Sequence, residues 1–322
     1  MRPPSASELV ARQSPRFPSL ALAAVEEDGS VVTLAGRTPP AATTLFQIGS
    51  VTKVFTALVL ARHVVRGDVA LDQPVAELFP DDWRWPEGRP ITLGELATHS
   101  SGLPRIPPGM WGKVLSRDPD PYADIGADEL AAALPRCRLR GRGRQRYSNL
   151  GAGLLGHALA HHRGTSYGRL VATELTAPLG LGDTVVDRSA DQVARSATGH
   201  TRRGKAHRTA WRFDAMAGAG ALWSTLDDMQ VFVRAHLSPP EDELGAAIRL
   251  AMSPHLAASG GPHGLGWIRT PGRGGPEGWF HNGGTAGFRS MVMVCPEARR
   301  GSVALGSCDR SVDGLGMVLT LG

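Results

Sequence analysis

The sequence predicts an α+β fold, with one lobe assembled from both ends of the chain and a helical lobe inserted between them. Three observations carry this. Strand signals sit at both termini, helix signals fill the middle, and the composition suits a large core. Of 322 residues, 42% are apolar and 20% charged, which excludes a disordered chain. The chain reads as one domain over 1–322, with the α+β lobe over about 15–66 and 255–322 and the helical lobe over about 67–254.

The elements follow in order. SLALAAVEEDGSVVTLAG (19–36) holds two apolar runs around Asp28-Gly29, a hairpin signal. Over 51–66, Val51, Val54, Phe55, Leu58, Val59 and Val65 recur at helical spacing, and Gly67 supplies the stop. In ITLGELATH, Thr92 and Glu95 have the spacing of a capping box. Residues 105–125 are rich in Pro, Gly and Asp and read as a long surface loop. A second helix spans 150–163, with Leu150, Leu154, Leu155, Ala158 and Leu159 inward and Gly164 closing it. Residues 196–222 read as irregular, and Thr225 and Asp228 cap a helix through Leu237. The chain ends in short β-rich runs, GLGWIRT, FRSMVMVC and GSVALGSC, the last two forming a hairpin across PEARR.

Composition also narrows the partners. Net charge is +5, yet only three of the 35 basic residues are Lys. That is a chain-wide Arg bias, and without zinc-finger spacings or aromatic platforms it does not mark a nucleic-acid protein. Arg136, Arg138, Arg140, Arg142, Arg144 and Arg146 alternate before Tyr147. A strand-like segment would place all six on one side; the run reads as a solvated face or loop, or as a site for an anionic substrate. Three scattered Cys form neither a disulfide framework nor a zinc cage. No signal-peptide h-region and no membrane-length apolar run are visible, so the expected location is the cytoplasm, with no membrane partner. Oligomeric state is left open.

The chemistry starts at FQIGSVTKVF. Ser50 opens the first helix and Lys53 follows one turn later on the same face. A serine hydroxyl needs a base, and a lysine serves only when neutral, which burial beside a positive helix N-terminus favours. Arginine cannot be deprotonated in a protein. A chain that otherwise uses Arg thus has Lys where a titratable amine is needed. The same residues also suit an N-cap Ser with a solvent-facing Lys. Tyr147-Ser148-Asn149 opens the second helix. The phenol can relay a proton and the amide can orient a lysine or a substrate carbonyl, or the pair can be core packing and an N-cap. His281-Asn282-Gly283-Gly284-Thr285 precedes FRSMVMV. Its glycines admit a substrate backbone and offer N–H groups to an oxyanion, and His281 can bond the Tyr or a substrate; a Gly-rich turn is the alternative.

Taken together and in this order, the three motifs match the S-x-x-K serine hydrolase pattern. From about Leu45 to Cys308 the sequence resembles the serine β-lactamase-like family, in its class C β-lactamase and D,D-peptidase-related branch. FQIGSVTK, ITLGELATHSSGLP, YSNLGAGLLG, AGALWSTLDDM and HNGGTAGF carry the resemblance. It implies an antiparallel sheet flanked by helices beside a helical lobe, with the site between. It implies Ser50 as acylated nucleophile, Lys53 as its base and Tyr147 as general acid/base. Asn149 would position substrate and Lys53, and the N–H groups of Ser50 and Gly284 would form the oxyanion hole. No metal or organic cofactor is implied.

His281 stands where the family's β-lactamases and transpeptidases usually have Lys, which favours an esterase or amidase over a β-lactamase or carboxypeptidase. The C-terminal helix, about Ser311 to Leu321, is short for the family. The expected activity is hydrolysis of a small ester or amide. An acyltransferase or thioesterase, with the Arg136–Arg146 run holding a phosphopantetheine or carboxylate, is the alternative. A non-catalytic binding protein is a further one.

Overall fold

Strand β1 (Leu20–Glu26) turns at Asp28-Gly29 into β2 (Ser30–Ala35), as the hairpin signal requires. The rest of the sheet comes from the far end of the chain: β7 (Ile268–Thr270), β8 (Gly278–Thr285), β9 (Phe288–Cys295) and β10 (Arg300–Gly306). In this computed structural model, which describes residues 6–110, 112–113, 120–258, 261–270 and 277–321, the order is β2-β1-β10-β9-β8-β7, antiparallel throughout. Two-stranded pairs join β3 (Phe46–Gln47) to β4 (Trp223–Ser224) and β5 (Leu256–Ala258) to β6 (Gly261–His263).

Period-two alternation divides the central strands between two cores. Ala21, Ala23, Val25, Val292, Val294, Val303 and Leu305 join the main core, whereas Leu20, Leu22, Met291, Met293, Cys295 and Ala304 join a smaller one on the other face. Helix α1 (Ala6–Gln13) and the C-terminal helix Asp313–Leu321 cover that smaller core. The C-terminal helix has nine residues and packs on this core through Leu315, Met317 and Leu319. All three cysteines are buried and free.

Helix α2 (Thr52–Arg66) is buried from Thr52 through His63. It packs against helix Glu243–Met252, the 217–219 turn and the helix over 149–162, which explains a helix apolar on nearly every side. Val65 alone of the apolar positions read as inward is turned out, at 38% exposed. Gly67 ends the helix in the left-handed region, φ 79°. Helix α3 (Leu93–Ala97) carries the Thr92/Glu95 capping box, both bonds formed. Helix α4 (Asn149–His162) is capped by the Ser148 hydroxyl, which accepts from the Gly151 N–H at 2.9 Å. Its Gly156 meets the 217–219 turn so closely that a Cβ there would lie 2.8 Å from Gly218 Cα.

Helix Leu226–Leu237, capped by Thr225, was assigned from sequence to the inserted lobe; it packs on β1, β9 and β10. The motif 281–285, read as lying before a strand, is itself strand β8, paired residue by residue with β9. The turn lies after it, at Ala286-Gly287. The alternating arginines do not form a strand: after Arg136 the chain is irregular, and Gly141 and Gly143 take positive φ. Among the described residues, no helix is long and apolar enough to cross a membrane.

Candidate active site

Ser50 sits in a 3-10 turn, Gly49–Val51, at the start of α2. The turn is held against the sheet by Ser290 on β9, whose hydroxyl donates to the Ile48 carbonyl at 2.6 Å. Gly283 on β8 makes this approach possible. A Cβ there would stand 2.1 Å from Ile48 O, 2.4 Å from Ser290 Oγ and 3.0 Å from Ser50 N. The glycine therefore serves sheet-to-nucleophile contact and not a turn.

Lys53 Nζ lies 3.1 Å from Ser50 Oγ and donates to the Ala219 carbonyl at 2.6 Å. That carbonyl belongs to the turn packed on Gly156. Tyr147 Oη donates to Ser50 Oγ at 2.6 Å. Lys53 is 2% exposed, and burial first, the Arg105 charge second, holds its ammonium well below the ordinary range of pKa. Burial also pushes the Tyr147 phenol up to about 12. Burial thus favours the free amine on Lys53, while the tyrosine keeps its proton. A neutral Lys53 can take the Ser50 proton on its lone pair while its own N–H stays on Ala219 O, and Tyr147 remains a donor beside the same oxygen.

Two-residue hairpins begin with a hydrogen-bonded pair, here Thr285 and Phe288, and bonding alternates along an antiparallel ladder. The Gly284 N–H therefore points away from β9, toward the Ser50 turn. A Cβ on Gly49 would come within 2.8 Å of Gly284 N, which shows how near that group lies.

Asn149 Nδ2 donates to Tyr122 Oη at 2.8 Å, and its Oδ1 is buried without a partner. The expected contact of Asn149 with Lys53 is not made; Ala219 O takes that place. His281 also departs from expectation. It is 1% exposed, its Nδ1 donates to Asn282 O at 2.7 Å, and its Nε2 has no partner. Alternation along β8 puts Asn282 on the cleft and His281 beneath it, 6.2 Å from the Tyr147 ring. Burial chiefly, with the Lys53 charge, lowers its pKa to about 3, so the imidazole is neutral.

The cleft in front of Ser50 measures about 900 Å³. Tyr122, Trp211, Ile106 and Ile268 give it apolar walls, and Arg105 and Arg289 line it as well. None of the arginines from 136 to 146 does; Arg142 is tied to Glu95 at 2.6 Å. Among the described residues, no cluster of His, Cys, Asp or Glu is arranged to hold a metal ion.

The residues that sequence reasoning missed are Ala219, Tyr122, Arg105 and His99. Ala219 acts through a backbone oxygen, which has no sequence signature. His99, a non-glycine at φ 57°, accepts the Ser148 N–H on Nδ1 at 3.3 Å and lies 4.7 Å from the Tyr147 ring.

Comparison with known proteins decides the lineage. A family model described as Beta-lactamase matches residues 7–318. The chain belongs to the beta-lactamase family. The chain is similar to a D-alanyl-D-alanine-carboxypeptidase/endopeptidase, AmpH, of Escherichia coli (strain K12). It is 29% identical over 287 residues, covering 82% of this chain and 71% of the relative. Esterase EstB of Burkholderia gladioli is 35% identical over 171 residues, 46% of this chain and 40% of the esterase. A class C beta lactamase from Rhodobacter sphaeroides superposes with a TM-score of 0.82 at 23% identity, over 98% of this chain and 95% of that one. The beta-lactamase-like fold expected from the motifs is therefore the fold observed, and the chain is a beta-lactamase-family hydrolase.

Proposed function

We propose that this protein hydrolyses a small ester or amide through an acyl intermediate on Ser50. The observation that carries the reading is the placement of Ser50 Oγ between a buried amine and a half-buried phenol, at 3.1 and 2.6 Å. Lys53 removes the hydroxyl proton as Ser50 attacks the carbonyl carbon. The resulting oxyanion is received by the N–H groups of Ser50 and Gly284. Tyr147, coupled to Lys53, passes a proton to the leaving oxygen or nitrogen. A water then attacks the acyl-serine, and the same two groups accept its proton and restore the hydroxyl.

The neutral, buried His281 supports esters and amides over substrates anchored by a strand cation. The similarity to an esterase points the same way. The arginine run that motivated a carrier-bound acyl donor lies off the cleft, so it lends that alternative no support.

Hydrolysis of p-nitrophenyl butyrate by the wild type and by Ser50→Ala tests the reading. Turnover that disappears in the variant is the expected result. Turnover retained by the variant, or none in the wild type across short-chain esters and anilides, overturns it.

A further inference from the structure

The geometry points to Arg105 as an anion anchor, so that the substrate of the Ser50 site carries a carboxylate on its acyl or leaving part. This rests on the proposed acyl-serine reading and names the substrate class within it.

Arg105 follows the GLP stretch and borders the cleft beside the nucleophile. Its backbone is fixed, because its carbonyl accepts the Asn149 and Leu150 N–H groups at 2.9 and 3.2 Å, at the first turn of α4. From there its guanidinium carbon reaches 5.2 Å from the Tyr147 ring centroid. Among the described residues, no carboxylate pairs with it. Its charge acts on Lys53, Tyr122 and Tyr147, which places it within electrostatic reach of the reacting groups.

The other charges of the cleft are arranged differently. Arg289 is matched by Asp309 at 3.1 Å, and Asp309 also faces His207 at 3.4 Å. Asp313 accepts from Asn282 Nδ2 at 2.9 Å and carries a negative charge on the strand flank. Among the described residues the cleft is therefore polarised, with a cation that no carboxylate pairs on the α4 flank and carboxylates on the β8 flank. His281, neutral and turned inward, supplies no cation. A guanidinium matches a carboxylate with two parallel N–H donors, and an anion would be drawn to the Arg105 side and repelled from Asp313.

The test is calorimetric binding to Ser50→Ala, which removes turnover from the question. The probes are valeranilide, glutaric acid monoanilide with the carboxylate on the acyl part, and N-valeryl-3-aminobenzoate with it on the leaving part. At least one anionic probe is expected to bind about tenfold or more tightly than valeranilide, as for hydrogen bonds to a charged group. That advantage is expected to vanish in Ser50→Ala/Arg105→Ala and to return in part with Arg105→Lys. An exposed control, Ser50→Ala/Arg138→Ala, changes net charge equally and is expected to keep it. No advantage for either anion, or one that survives loss of Arg105, overturns the proposal. Because binding is read without turnover, the acyl-serine reading can fail while the anchor stands, and the reverse.

Discussion

Lys53 Nζ lies 3.1 Å from Ser50 Oγ, with Ser50 in the 3-10 turn that leads into α2 and Lys53 in the first turn of the helix. The amine is held from its other side by the Ala219 carbonyl at 2.6 Å, an acceptor with no charge to stabilise an ammonium fully. A base of this kind depends on losing its proton at moderate pH, and arginine cannot do so. Lys53→Arg should therefore be as inactive as Lys53→Met, both losing about a hundredfold to ten-thousandfold in kcat/KM. Steady-state kinetics on a neutral ester would show it; an active arginine variant would remove Lys53 from the role of base.

The pH dependence follows from the same burial. Activity needs the free amine, so kcat/KM should rise with pH along a limb set by Lys53, well below the ordinary lysine range. Arg105 contributes to that lowering as a like charge. Removing it in Arg105→Ala should let Lys53 hold its proton more tightly, so the limb moves to higher pH. A pH profile on p-nitrophenyl butyrate checks the direction. A limb that moves down, or does not move, contradicts the coupling.

How much of this was legible in the sequence depends on what kind of signal each group leaves. Ser50 and Lys53 were readable because a helix converts a spacing of three into one face. Tyr147 was readable as part of a motif. Gly283 and Gly284 are named from the sequence but placed before a strand and not in one, because two glycines in succession look like a turn. That error hid the alternation of β8, and with it the fact that His281 and Asn282 face opposite ways. The cleft walls come from loops such as 105–125 and 196–222, where no period exists to read. The arginine run shares one face only if its alternation means strand, and Gly141 and Gly143 bend the chain, which leaves the loop reading. The Leu226–Leu237 helix was recognised, but its place on the sheet is a tertiary fact that its own pattern does not record.

The two glycines of β8 should respond differently to alanine. At Gly283 the new methyl meets backbone and a pinned hydroxyl at 2.1 and 2.4 Å, so the strand must move off the nucleophile turn. Gly283→Ala should lose both activity and about 1–3 kcal/mol of stability. At Gly284 the nearest atom is the end of the Arg289 side chain at 2.9 Å, which can swing away. Gly284→Ala should stay near the wild-type melting temperature. Equal melting temperatures for the two variants would mean that the close approach of β8 to Ser50 is not what Gly283 provides.

Acid should destabilise the fold through its buried imidazoles. His236 is held neutral by burial, with its pKa lowered to about 4, against Phe232 at 4.3 Å. Below about pH 6.5 the unfolded chain takes up a proton that the folded state refuses, so stability is complete above that pH and falls as pH drops toward 4. The loss at pH 5 is about 2 kcal/mol for such a histidine. His236→Met, at a position that does not line the cleft, should reduce the drop in melting temperature between pH 7 and pH 5. A drop as large as that of the wild type would assign the acid sensitivity elsewhere.

The central claim is that Ser50 is the residue that becomes acylated, and covalent labelling tests it most directly. Protein treated with a fluorophosphonate and mapped by peptide mass spectrometry should carry one adduct, on the peptide containing Ser50. The adduct should be absent in Ser50→Ala and form far more slowly in Lys53→Met. Labelling at another serine, or undiminished labelling of Ser50→Ala, would contradict the account.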